Sequence, residues 1–176
     1  MKVKFIRHTS VGVPKGVCYG QTDVPLSETF PEEAAVVHQR IQAERFDRVF
    51  TSPLSRCTRL ADFCGYPEAV RDDRLKEFDF GEWEMQRFDE IVDPRMQDWF
   101  EDYLNVPATG GESFMMQCQR LSSFLDEKKQ QGYEHIAVFT HGGILLCAQI
   151  YAGTLKAENA FEVIPPYGEM IEIEVF

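Results

Sequence analysis

Val3-Lys4-Phe5-Ile6-Arg7-His8-Thr9 and His135-Ile136-Ala137-Val138-Phe139-Thr140-His141-Gly142-Gly143 are two apolar runs that each stop at a histidine. Residues 2–7 and 135–140 read as strands rich in β-branched and aromatic side chains, each followed by small or polar residues. In an open α/β sheet, ligands collect at the carboxyl ends of the strands. Two histidines and an arginine delivered to that edge point to an anion site, with an imidazole able to attack what is bound there.

Working outward from these runs, the chain alternates strands and helices. This predicts a three-layer α/β/α sandwich with a mostly parallel sheet. A Gly/Pro-containing loop fills residues 9–27. Thr29-x-x-Glu32 has the form of a capping box with Pro31 in the first turn, and the helix behind it carries Ala34, Val37 and Ile41 on one face. Arg48–Thr51 is a short strand closed by Ser52-Pro53. A helix is expected from near Leu54 to Cys64-Gly65, and Val70-Arg71 reads as a further strand. Residues 75–110 have no clear period. They mix Trp83, Phe88, Trp99, Phe100 and Tyr103 with acids, and read as a partly helical, lid-like insertion over about 78–110. A long helix is expected from Glu112, with Phe114, Cys118, Leu121 and Leu125 on one stripe. The helix from Gly143 to Tyr151 is apolar nearly all round and should be buried. Ile171–Val175 alternates strictly, as a strand with one wet face does, and offers an edge for pairing.

A length of 176 residues fits one domain over 1–176, and 44% hydrophobic with 27% charged residues is a globular composition. No apolar stretch approaches the ~20 residues of a membrane span. The chain enters its first strand at once, with Lys2 and Lys4 and no secretory signal. Five cysteines, an odd number without a C-x-x-C pair, argue for a reducing, cytoplasmic setting. A net charge of −11 without a Lys/Arg block disfavours nucleic acid, so positive charge for an anionic ligand has to be local. No residues show metal-ligand spacing, and neither a metal nor another cofactor is expected. The oligomeric state is open between monomer and dimer.

Four segments carry the chemistry: Arg7-His8-Thr9, Ser52-Pro53-Leu54-Ser55-Arg56, Leu75-Lys76-Glu77-Phe78-Asp79-Phe80-Gly81-Glu82-Trp83-Glu84 and Thr140-His141-Gly142-Gly143. Their order and content resemble the histidine phosphatase, or phosphoglycerate-mutase-like, superfamily from residue 2 to about residue 150. Gly16-x-Cys18-Tyr19-Gly20-x-x-Asp23-x-Pro25-Leu26, Phe80–Met85 and Gly110–Phe114 bring the chain nearest to the alpha-ribazole phosphatases of that superfamily. Thr9 and Met85 depart from the general pattern, since many members have Gly at each place.

The resemblance implies a metal-independent phosphomonoesterase in which His8 is the nucleophile and becomes a phosphohistidine. Glu77 would protonate the leaving oxygen and then deprotonate water. That first task asks for a proton held by burial or by the incoming phosphate charge. Arg7 and Arg56 would each clamp phosphate oxygens with a planar fork, and a protonated His141 would donate to another. Gly142 and Gly143 would let helix N-terminal amides approach the anion. Thr9, Tyr19 and Gly20 complete the expected substrate contacts. Ser52 and Ser10 show no base in the sequence and are not taken as nucleophiles. The small-molecule partner is a phosphate monoester, by resemblance alpha-ribazole 5'-phosphate of cobalamin biosynthesis. The alternatives are a broad sugar-phosphate or nucleotide phosphatase, a mutase, and a regulatory phosphate-binding module without turnover. Such a module should lack His8, Glu77 or His141, and all three are present.

Overall fold

In a computed structural model that describes residues 1–176, the strands are β1 (Lys2–Arg7), β2 (Arg48–Thr51), β3 (Val70–Arg71), β4 (His135–Thr140) and β5 (Met170–Glu174). They form one sheet in the order β3-β2-β4-β1-β5, parallel except for β5, which runs antiparallel to β1 at the edge. The helices are α1 (Phe30–Ile41), α2 (Ser55–Phe63), α3 (Arg95–Glu101), α4 (Phe114–Gln130) and α5 (Gly142–Tyr151).

Strand alternation divides the core between the two faces of the sheet. Val3, Phe5, Ile136 and Val138 pack with the α4 and α5 side chains Leu121, Leu125, Ile144 and Leu145. Ile6, Ala137 and Phe139 pack on the other face with Val37 and Ile41 of α1 and Cys57 and Leu60 of α2. The three-layer sandwich expected from the sequence is the fold observed. β4 is buried along almost its whole length, as a central parallel strand covered on both faces must be.

Several boundaries differ from the sequence reading. Thr29 does not cap α1: its hydroxyl donates to Glu33, one residue beyond the expected Glu32, and Glu33 also accepts from the Ser10 amide. Helix α4 starts at Phe114, not at Glu112, because Ser113 is the cap and accepts from the Met116 amide. Glu112 faces Arg120 instead. Helix α5 begins one residue earlier than expected, at Gly142.

Residues 78–110 hold two short helical pieces, Gly81–Trp83 and α3. The segment is pinned by Trp83, which is fully buried and donates to Asp93 at 2.7 Å. Met85 lies in the left-handed region at φ 64°. This is one of the two positions noted above where glycine is common in the resembled family, and a side chain there is strained.

Candidate active site

The register explains why two distant histidines meet. Arg7 pairs with Thr140 across β1 and β4, and the His8 amide donates to the Thr140 carbonyl at 2.9 Å. His8 and His141 therefore leave the sheet side by side, with ring centroids 5.1 Å apart in an edge-to-face arrangement. Both are buried. His8 Nδ1 lies 2.7 Å from the Thr9 carbonyl, which accepts only, so Nδ1 carries the proton and the lone pair is on Nε2. Burial, then the Arg56 guanidinium, holds His8 well below the usual imidazole range.

Arg56 comes from the first turn of α2, whose start is fixed by Asp23 accepting from the Ser55 amide and hydroxyl. It is fully buried, and it donates to the carbonyls of Thr22 (2.9 Å) and Gly20. Arg7 donates to the Pro165 carbonyl and lies over the Tyr167 ring at 4.2 Å. Neither is among the salt-bridged arginines of the chain, which are Arg40, Arg74, Arg87 and Arg120. The Nε–H groups of both are buried without a partner. Two guanidinium groups without a carboxylate, Arg56 fully buried and Arg7 half-buried, leave net positive charge available to an anion.

Glu77 reaches the same place from the stretch after β3. That stretch is held by the Thr140 hydroxyl donating to the Leu75 carbonyl (2.7 Å) and by Arg120 donating to the carbonyls of Arg74 and Glu77. Its Oε1 accepts from Gln117 Nε2 and from the Phe78 amide, each at 2.8 Å, and its Oε2 from the Gly143 amide at 3.2 Å. The two glycines at the start of α5 are there for clearance. A Cβ on Gly142 would meet Arg7 Cζ and Nε at 3.1 Å, and one on Gly143 would overlap Glu77 and Gln117.

Three expectations change here. The Gly143 amide serves Glu77, which leaves Gly142 as the first-turn donor that lines the cavity without an intrahelical acceptor. His141 is not a ready cation: burial, then Arg56 and the nearby His8, hold it well below the imidazole range, and its Nε2 lies 2.8 Å from Ser52 Oγ. Ser52 thus does have a histidine beside it, invisible in the sequence because 89 residues separate them. Gly20 offers no free amide. Its N–H donates to Glu84, its carbonyl accepts from Arg56, and a Cβ would run into the Phe78 carbonyl. Thr9 is buried, with its carbonyl on His8 and its hydroxyl unpartnered. Tyr19 lines the cavity, and its hydroxyl meets that of Tyr167 at 2.7 Å.

The sequence reading missed three residues. Gln117 holds Glu77. Glu84 binds the amides of Gly20 and Gln21 and the Thr22 hydroxyl, and so shapes the loop that supports Arg56. Tyr167 touches Arg7 and stands 5.6 Å from the His8 ring. Above this polar floor, the cavity wall is aromatic and apolar: Phe78, Phe80, Trp99, Tyr103, Phe114 and Phe161. The folded chain does bring Glu44, His135 and Glu172 together, but at the opposite end of β4, where Lys4 already bridges the two acids at 2.5 and 3.5 Å.

No helix is long and apolar enough to cross a membrane. The chain is 29% identical over 150 residues to phosphoserine phosphatase 1 of Hydrogenobacter thermophilus, covering 80% of this chain and 71% of that one. It superposes on the alpha-ribazole phosphatase of Shigella flexneri with a TM-score of 0.87 at 25% identity, covering 100% and 91% of the two chains. The phosphoglycerate mutase of Thermus thermophilus shares the fold, with a TM-score of 0.79 at 23% identity over 99% and 93%. The profile of the histidine phosphatase superfamily (branch 1) matches residues 3–175, which span both histidine-bearing strand ends, Arg56 and Glu77, and the chain belongs to that superfamily.

Proposed function

We propose that the protein is a metal-independent phosphomonoesterase that forms a phosphohistidine on His8. The observation that carries this reading is the Nδ1–H bond from His8 to the Thr9 carbonyl, which leaves Nε2 as an unprotonated nucleophile beside two uncompensated arginines. Arg7, Arg56 and the Gly142 amide neutralise the phosphate oxygens. Nε2 bonds to phosphorus as the ester P–O bond breaks, and Glu77 gives its proton to the departing oxygen. Water then forms the new P–O bond, the P–N bond breaks with its electron pair returning to Nε2, and Glu77 takes a proton back. Ser52 holds His141 in place.

We take the substrate to be alpha-ribazole 5'-phosphate. The aromatic wall suits a flat apolar leaving group. Beyond the two arginines assigned to the phosphate, no Lys or Arg lines the cavity, so a carboxylate such as that of phosphoserine or phosphoglycerate finds no cation of its own. The likeness to the Shigella flexneri enzyme supports the same choice.

The test is a substrate panel with phosphoenzyme trapping. Alpha-ribazole 5'-phosphate should give the highest kcat/KM against phosphoserine, 3-phosphoglycerate and a nucleoside monophosphate. The trapped phosphate should be acid-labile and base-stable, and absent from His8→Ala. Acid-stable label would move the nucleophile to a hydroxyl such as Ser52. Faster turnover of phosphoserine would remove the substrate assignment and leave the mechanism standing.

A further inference from the structure

Gln117 lies on the buried stripe of α4, between Phe114 and Leu121, where the helix otherwise presents apolar side chains to the core. It is fully buried. Its Nε2 donates to Glu77 Oε1, and reversing the amide would set oxygen against carboxylate, so the network identifies the two atoms. Its Oε1 is then a buried acceptor with no partner, which folded proteins seldom leave without a purpose. Gln117 lines the same cavity as Arg7, Glu77, Gly142 and Gly143. A Cβ on Gly143 would stand 2.8 Å from Nε2 and 2.9 Å from Oε1, so that glycine keeps the space beside both amide atoms open.

We propose that Gln117 is a positioning residue for the hydrolytic half of the reaction, with its amide nitrogen holding Glu77 and its amide oxygen orienting the attacking water. The inference rests on the phosphohistidine reading. As the water oxygen bonds to phosphorus and the P–Nε2 bond breaks, one water proton passes to the Glu77 carboxylate. The other stays on the new phosphate oxygen, directed at Gln117 Oε1. Two acceptors engage both O–H groups and leave a lone pair for phosphorus. An alcohol has only one O–H and cannot satisfy both, so Gln117 favours hydrolysis over transfer to an alcohol.

The experiment is rapid-quench kinetics on the intact chain with p-nitrophenyl phosphate as phosphoryl donor, with and without glycerol as competing acceptor. In Gln117→Leu, phosphoenzyme decay should slow about tenfold. Its formation should change far less, because nitrophenolate leaves without an acid, and the share captured by glycerol should rise. Gln117→Glu retains an acceptor but sets a second carboxylate beside Glu77, so the acid limb of the decay rate should move to higher pH. Thermal melts report folding of each variant. A normal phosphoenzyme in Gln117→Leu with wild-type decay and an unchanged glycerol share overturns this role alone. If that variant does not fold, an unshifted pH profile in Gln117→Glu overturns it. Failure to find acid-labile phosphate on the wild-type protein overturns the phosphohistidine reading and this role with it.

Discussion

Gly143→Ala tests the acid–base geometry without touching a titratable group. The new methyl would fall 2.8–2.9 Å from the Gln117 amide and closer still to Glu77 Oε1. Ordinary carbon contacts start near 3.5 Å, so the carboxylate has to retreat by roughly 1 Å. A carboxylate at the end of a free side chain would swing aside at little cost. This one is pinned by Gln117, the Phe78 amide and the Gly143 amide, so its retreat breaks at least the last of these bonds. A misplacement of about 1 Å at a reacting group costs on the order of 10²-fold in rate. Alanine is meanwhile the better helix former by about 0.5–1 kcal/mol, which offsets the crowding in stability. The expected result is a loss of roughly 10²-fold in kcat for an alkyl phosphate, with a melting temperature within about 4 °C of wild type. Loss on p-nitrophenyl phosphate should be smaller, since its first step needs no acid. Steady-state assays on both substrates with a thermal melt would decide it. Alkyl-phosphate turnover within about threefold of wild type in a folded variant would refute the argument that Glu77 must stand where it does.

Three other outcomes rest on the charges of the site. Because burial and Arg56 hold His8 and His141 neutral, the unfolded chain binds more protons below about pH 6.5, and stability should decline as pH falls there by up to about 1.4 kcal/mol per unit for each histidine. Urea midpoints between pH 7 and 5 should show a shallower slope in His141→Asn, and an identical slope would contradict the buried neutral state. Arg56→Lys, with no fork to span the Gly20 and Thr22 carbonyls and a phosphate together, should raise the inhibition constant of inorganic phosphate by about 10²-fold, against little change if Arg56 only props the loop. Activity should persist in excess EDTA, because arginines supply the charge, and rescue by Mg²⁺ or Zn²⁺ would show that they do not suffice.

The strands, the helices and the two histidine-bearing strand ends were legible because periodicity and punctuation are local. Glu77 and Arg56 were legible only through resemblance, since nothing in their own neighbourhoods distinguishes them from surface charges. What joins the two histidines is the β1–β4 register, a pairing between segments more than 100 residues apart that no local signal encodes. Gln117 did leave a trace: it falls three residues after Phe114 and four before Leu121, a polar residue on an apolar stripe. Glu84 stood within a quoted segment, but its role left no trace, because its partners are two backbone amides and a hydroxyl of a distant loop. Tyr167 sits in a Pro-Pro-Tyr-Gly turn whose position over Arg7 depends on β5 returning alongside β1. Thr29 misled because Glu32 offered a standard cap, whereas Glu33 also reaches the Ser10 amide.

The neutral histidines and the bare arginines are two consequences of one arrangement. Burial makes protonation of either imidazole costly, and Arg56 and Arg7, placed beside them without carboxylates, add to that cost. The same uncompensated charge attracts the phosphate dianion. Had acids neutralised the arginines, as Glu112 does Arg120, the imidazoles would be easier to protonate and the site would offer less charge to an anion. Bound phosphate reverses that bias. With two negative charges beside it, His141 regains affinity for a proton, so it can become a donor to the phosphate only after the ligand arrives. The cationic role expected of His141 then belongs to the loaded site, and phosphate binding at about pH 6, where the ligand itself sheds a proton to bind as the dianion, should take up more protons in the wild type than in His141→Asn, measurable as a buffer-dependent enthalpy. Equal proton exchange in the two proteins would leave His141 neutral throughout, and Arg7 and Arg56 as the sole charged partners of the phosphate.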